Sequence, residues 1–331
     1  MKRLLPVLLA VALATPFAAA APPTIGELLH SVPGGAQAVI AVDSAALRSH
    51  PKVQEWLLRQ HAWTGADEDL RQFLTDAGLD PVRDVDAMVV AVLREGSETD
   101  AVALFSGRYD PALLATALVK RGAQPFTLAA RQAYRLRSSG HHSGETAVLV
   151  QPSPGLVIVG EESAVQAALA PPHAVAPLVE TEISAGHIDL RAPFWVVAVV
   201  PAEARQKARE ASGHVHGEGS EPVRSIVVAS GTVQRVAMQA FLDDSLRFSG
   251  VAVADRPENA ELLRDAVKGA IAAARLHAQG QAPELVSVLR DVDVRVAGTD
   301  VSVSGAVPLT LLEKLAAEHH PPCQSGAKQQ P

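Results

Sequence analysis

Residues 36–42 have the sequence AQAVIAV, a short apolar run that follows the turn residues Pro33, Gly34 and Gly35. A continuous apolar run of about 4–8 residues is typical of a fully buried strand, whereas a helix needs about ten residues or more. A second run of the same kind, FWVVAVV, spans residues 194–200. Helical patterning follows each run along the chain. We therefore predict that 36–42 and 194–200 are equivalent strands of two related halves.

The two halves have a common order of predicted elements beyond these strands. Asp110 and Pro111 open a helix in the first half, and Asp255-Arg256-Pro257 opens its counterpart, since Asp caps helices and Pro suits the first turn. Each half follows roughly the order β-α-ββ-α-ββ-α. The halves agree in pattern and not in residue identity, and the alternative is two unrelated α+β segments. The predicted strands are 86–94, 101–107, 126–130, 133–137, 146–151 and 156–159 in the first half, and 224–230, 233–242, 245–254, 292–297 and 301–306 in the second.

Strands that are grouped in hairpins and followed by helices favour antiparallel sheets, because parallel strands need long crossovers. We therefore predict an α+β fold, with two similar lobes of mostly antiparallel sheet and helices on one face. Two such lobes, side by side or sharing one sheet, would form a cleft between them. The predicted organisation is a signal peptide (1–20), lobe 1 (21–172), a linker (173–190), lobe 2 (191–318) and a disordered tail (319–331).

The first twenty residues have the layout of a secretory signal peptide. Lys2 and Arg3 precede an apolar stretch, 4–14, and a run of small residues, 18–21. We expect cleavage after Ala20, because a cut after Ala21 would place Pro22 beside the scissile bond. The alternative is an ordinary buried N-terminal helix. No later segment has about 18 consecutive apolar residues, so we predict a periplasmic or secreted bacterial protein without an integral membrane segment after cleavage.

Composition argues against several classes of partner. The chain has 29 Lys and Arg against 36 Asp and Glu, a formal net charge of -7, which disfavours nucleic acid and anionic lipid. Cys323 is the only cysteine, so an internal disulfide is excluded. With 3 Trp, 2 Tyr and a single asparagine, Asn259, a sugar site would have few stacking and hydrogen-bonding groups.

The segment 212–219 contains the most suggestive metal-binding pattern. His214 and His216 would point to one side of an extended chain, and Glu218 would add an oxygen ligand. The competing interpretation is a solvated, flexible loop, because a structural zinc needs four converging ligands. His141 and His142 lie in a similar segment and are interpreted as a surface turn unless the two lobes face each other.

Signatures of catalysis are missing from the sequence. It contains no G-x-S-x-G, H-E-x-x-H, P-loop or dinucleotide-binding pattern, and we predict no cofactor. Cys323 lies in the predicted tail without an evident base. Asp243 and Asp244 fit a hairpin turn better than a catalytic carboxylate pair. Asp43 is either a site residue at a strand end or a helix cap.

Three short segments resemble uncharacterised secreted bacterial proteins, in which a P-x-x-A turn precedes the first strand and a G-x-[FY]-D step precedes a helix. The resemblance implies an exported α+β protein, and it carries over no catalytic residue. The segments are VPGGAQAV at 32–39, FSGRYDP at 105–111 and LVIVG at 156–160.

The sequence therefore favours an exported, non-catalytic protein that binds a partner protein or small-molecule ligand between two lobes. One alternative is a periplasmic hydrolase whose catalytic residues are dispersed along the chain. Another is a metal-binding protein that uses His214 and His216.

The export prediction fixes the mature N-terminus. Protein isolated from the native envelope fraction should begin at Ala21, because the signal peptide is removed after Ala20. Mass spectrometry of the intact protein and of its N-terminal peptide measures this directly. An intact Met1 in that fraction would contradict the prediction.

Overall fold

A computed structural model describes residues 21–59, 68–95, 98–137, 146–170, 174–211 and 228–319. These residues form a mixed α+β fold on one sheet of 12 strands, in which every neighbouring pair is antiparallel. The predicted α+β class is confirmed. The predicted signal peptide, residues 1–20, lies outside the described residues.

The strands follow the order β11-β12-β10-β9-β8-β1-β2-β3-β7-β6-β5-β4 across the sheet. Their bounds are β1 Ala36–Asp43, β2 Val85–Glu95, β3 Glu98–Gly107, β4 Gln124–Leu128, β5 Arg131–Arg137, β6 Thr146–Ser153, β7 Leu156–Glu161, β8 Phe194–Val199, β9 Val233–Leu242, β10 Ser245–Ala254, β11 Asp293–Ala297 and β12 Asp300–Pro308.

Most helices begin where the sequence places a cap or a proline. Asp110 accepts hydrogen bonds from the backbone of Ala112 and Leu113, and Thr24 forms a capping box with Glu27. Helix α8 lies within the predicted linker, 173–190. The helices are α1 Ile25–Leu28, continued by a 3-10 turn at Leu29–Ser31, α2 Ser44–Ser49, α3 Pro51–Arg59, α4 Glu68–Asp76, α5 Pro81–Asp84, α6 Pro111–Lys120, α7 Glu162–Ala168, α8 Pro177–Ser184, α9 Ala202–Ala211, α10 Pro257–Gln281, α11 Pro283–Arg290 and α12 Leu309–His319.

The two halves share the sheet and meet at its centre, where β1 pairs with β8. Outward from that pair, β2-β3-β7-β6 on one side matches β9-β10-β12-β11 on the other, and β5 and β4 extend the first half. Each half therefore places its hairpins in the same order. The strand predicted at 224–230 is wrong where it can be compared, because 228–230 are helical; 224–227 lie outside the described residues.

The sheet has two faces, defined by the alternation of side chains along β1 and β8. The first face carries Val39, Ala41, Trp195 and Val197, all fully buried beneath α1 and α8 in the largest core, which α7 extends over β3, β6 and β7. Burying a large apolar side chain completely stabilises the fold by about 1.5–3 kcal/mol. The first face of the central strands is therefore the main source of stability.

The second face has one core in each half. In the first half, α6 packs Leu114 and Leu118 against Tyr134 and Leu149 of the sheet. In the second half, α10 packs its apolar side against the outer strands β10, β11 and β12. The helices of the three cores thus lie on both faces of the sheet, α1, α7 and α8 on the first and α6 and α10 on the second.

No helix in the described ranges combines the length and apolar character that crossing a membrane requires.

Two glycines give opposite predictions for stability. A Cβ at Gly160 of β7 would lie 2.2 Å from the carbonyl oxygen of Ala101, so Gly160→Ala should destabilise the fold by about 2 kcal/mol or more. A Cβ at Gly269 of α10 meets nothing within 4 Å, so Gly269→Ala should stabilise it by about 1 kcal/mol. Urea unfolding of the two variants tests both signs. Equal stability of Gly160→Ala and the parent protein would contradict the close approach of Gly160 to the backbone of β3.

Candidate functional site

The histidines predicted as metal ligands cannot be placed. His214 and His216 lie outside the described residues, as do Glu218, His141, His142 and Cys323. The metal site therefore stays a prediction. In the described ranges, no group of three or more His, Cys, Asp or Glu side chains is arranged to hold a metal ion.

The acidic residues singled out in the sequence have structural roles. The Asp43 carboxylate accepts a hydrogen bond from the Ala46 amide at 2.7 Å and caps α2. Asp243 and Asp244 form the turn between β9 and β10, and Asp243 pairs with Arg247. The cap and hairpin-turn interpretations of these residues are confirmed.

A buried ionic cluster on the first face was not anticipated from the sequence. Glu182 of α8 is 1% exposed, and its two oxygens lie 2.8 Å from Arg235 Nε and 2.5 Å from His187 Nδ1. His187 Nε2 lies 3.1 Å from a carboxylate oxygen of Asp300. The cluster joins α8 to β9 and β12. We call these four residues the brace.

The brace contains the residue types of a catalytic site, but its geometry does not suit catalysis. A general base needs one ring nitrogen free to accept a proton from a nucleophile or water. Both ring nitrogens of His187 face carboxylate oxygens, those of Glu182 and Asp300. The ring therefore links two acidic groups, and the geometry supports a structural role.

Three Asp side chains with lowered pKa values form structural ion pairs. Hydrogen bonds lower the pKa of Asp76 beside Lys120 and that of Asp84 beside Arg83. The side chain and backbone of Arg191 lower the pKa of Asp189 to about 2. Catalytic carboxyls more often have raised values in an apolar cleft, so these shifts do not indicate an active site.

The central part of the second face is apolar and partly exposed between the cores of α6 and α10. Its side chains lie on β2, β1, β8 and β9, and Met238, at 42%, is the most exposed of them. With strands about 4.8 Å apart, the surface is about 14 Å across. We call it the trough. Its floor consists of Ile40 and Val42 of β1, Met88, Val90 and Val92 of β2, Phe194, Val196 and Ala198 of β8, and Met238 and Ala240 of β9.

Ion pairs that link the two halves lie toward both ends of the trough. At the end where β1 runs into α2, Lys52 of α3 lies 3.4 Å from Glu313 of α12. At the other end, Arg94 of β2 lies 3.2 Å from Glu203 of α9. Helices flank the long sides, because α6 covers β3 and β5–β7 and α10 covers β10–β12. The trough is therefore a depression at the junction of the two halves, bounded by helices along its sides and by ion pairs at its ends.

A separate cavity of about 330 Å³ lies between α6 and strands β5 and β6. Tyr109, next to α6 but outside the cavity lining, has a buried hydroxyl without a hydrogen-bond partner among the described residues, and burial raises the pKa of this phenol further above the physiological range. The cavity is lined by Pro111, Ala112, Leu114, Ala115, Leu118, Gln132, Tyr134, Leu149 and Gln151.

A second, shallower cavity of about 450 Å³ lies between α11 and α12. Val288 and Leu311 line it together with Glu284 and Lys314, whose charges pair at 2.6 Å. Because the charged groups at this cavity are already paired, it is a weaker candidate than the trough.

Comparisons with known proteins give no family. No family model and no curated protein matches the chain. Crystal forms I and IV of a protein designated TP0453 are distantly similar, with 11% identity and a TM-score of 0.42 in each case. The alignments cover 88% and 87% of this chain and 96% of that one. A TM-score at this level transfers neither fold nor function.

The brace generates a stability prediction. Arg235→Met leaves the buried Glu182 carboxylate without its guanidinium partner, so the free energy of unfolding should fall by about 3 kcal/mol. The matched control is Arg295→Met on β11, where the pair with Asp293 is 79% and 45% exposed, and the loss should stay below about 1 kcal/mol. Chemical denaturation measures both changes. Equal effects of the two substitutions would show that Glu182 does not depend on Arg235.

Proposed function

We propose that the protein is an exported, non-catalytic binding protein whose ligand is a small apolar molecule held in the trough. The observation that supports this most is the apolar, partly exposed floor at the junction of the two halves, with Met238 at its most exposed point. Contiguous apolar surface of this kind commonly marks a binding site in a protein that functions in water.

The chemistry of the floor favours an apolar ligand. Its side chains are aliphatic, aromatic or thioether, and none is charged. Removing such surface from water stabilises the complex by a free energy of about 25 cal/mol for each Å² that the ligand covers. Met88 and Met238 are flexible and polarizable, which suits ligands of varied shape.

The shape of the trough favours a small molecule over a protein partner. Stable protein interfaces bury about 800 Å² on each partner, whereas the floor is only four strands wide. The ion pairs Lys52–Glu313 and Arg94–Glu203 further limit its length. The bounded depression is typical of ligand sites that form between repeated units.

The hydrolase alternative has less support in the described residues. His187 has no free ring nitrogen, and the Asp side chains with lowered pKa values are paired with Arg or Lys.

The export that is part of this proposal is supported by the pattern of residues 1–20, in which Lys2 and Arg3 precede the apolar stretch.

The test is binding of N-phenyl-1-naphthylamine, a neutral apolar fluorophore, to the full mature chain. Met238→Glu places a carboxylate on the floor at a position exposed enough to tolerate it. We expect the affinity to fall about tenfold or more, because ligand binding would desolvate the charge. The readout is the dissociation constant from fluorescence titration.

Two controls make the result specific to the trough. Ser304→Glu adds the same charge to an exposed position of β12 on the first face and should leave the affinity unchanged. Ala115→Phe fills the cavity beneath α6 and should also leave it unchanged. Undiminished binding by Met238→Glu, or an equal loss in Ser304→Glu, would count against the proposal.

A further inference from the structure

We infer that the cavity beneath α6 is a second binding site, for a neutral, largely apolar molecule that carries a carbonyl group. This site is separate from the trough and does not depend on the function proposed for it. The inference rests on the shape of the cavity together with an unpartnered amide donor in its wall.

The cavity exists because small residues of α6 face long side chains of the sheet. Pro111, Ala112 and Ala115 line the helix side. On the sheet side, Ala133 of β5 pairs with Val150 of β6, so the next pair along brings Gln132 opposite Gln151. At about 30 Å³ for each water molecule in the liquid, the volume of about 330 Å³ equals that of about ten waters. A molecule of one or two rings fits this space.

Gln151 supplies the polar recognition group. Its Nε2 atom is buried and has no hydrogen-bond partner, although a glutamine amide carries two N–H donors. A buried donor without an acceptor destabilises the protein, and native structures rarely leave one without a reason. Because the last torsion of a glutamine side chain is soft, the amide can turn toward an acceptor in the cavity at little cost.

The remaining lining determines the class of ligand. Among the residues that the structure describes, no Asp, Glu, Lys, Arg or His side chain lines the cavity, so a charged ligand would find no counter-ion among them. Leu114, Leu118 and Leu149 form apolar walls, and the ring of Tyr134 adds an aromatic one against which a flat ligand packs. A neutral aromatic ketone or amide satisfies both the walls and the Gln151 donor.

The experiment compares two fluorophores that differ in one carbonyl group. The first is 6-propionyl-2-(dimethylamino)naphthalene, and the second is 6-propyl-2-(dimethylamino)naphthalene, which has a methylene in place of the carbonyl. Gln151→Met keeps the length of the side chain and removes the amide. We expect this variant to bind the ketone about five- to tenfold more weakly and the ketone-free probe equally well, since only the ketone loses a hydrogen bond.

Three further variants control for position and folding. Gln124→Met changes an exposed glutamine of β4 that is not part of the cavity lining, and it should alter neither affinity. Ala115→Phe fills the cavity and should abolish binding of both probes there, and Ala112→Phe repeats the test from an exposed position that α6 tolerates. Thermal unfolding confirms that each variant folds.

Binding of the two probes outside the cavity would give a different pattern of results. The inference is overturned if Gln151→Met weakens both probes alike or neither, or if the phenylalanine variants bind as the parent does. Loss of binding in Met238→Glu alone would assign the probes to the trough and would overturn the inference about the cavity.

Discussion

The pairing of β1 with β8 is the interaction on which the rest of the structure depends. Five residue pairs, from Ala38 with Ala198 to Val42 with Phe194, join the two halves into one sheet. The same register sends Trp195 into the main core and Val196 onto the trough. A slip by one residue would exchange the two faces, so the buried core also fixes the composition of the trough.

The trough is a consequence of the repeat. Each half places its covering helix over the outer strands, α6 over β3 and β5–β7 and α10 over β10–β12. Because these helices lie at equivalent positions, the four central strands between them are left without either as a cover. The first face is treated differently, since α1 and α8 pack on its central strands. One face of the central strands therefore stabilises the fold, and the other is available for binding.

Local patterns in the sequence were sufficient for most of the fold. The runs at 36–42 and 245–254 and the Asp110–Pro111 helix start appear where expected, because burial and capping leave marks on neighbouring residues. The β-branched run at 224–230 predicted a strand, and this was wrong for 228–230, which are helical in their tertiary context. The brace could not be predicted from the sequence, for a different reason. Glu182 lies 53 residues from Arg235, and His187 lies 113 from Asp300, so no local pattern links them.

The two faces of the sheet are coupled through β9. Arg235 of this strand binds Glu182 on the first face, while Met238, three residues further along, lies on the floor of the trough. Removing one partner of a buried ion pair is far more destabilising than losing an exposed pair, so the brace holds β9 firmly against α8. In the function proposed for the trough, the brace therefore contributes to binding indirectly. It keeps rigid the strand that supplies the most exposed apolar side chain of the trough.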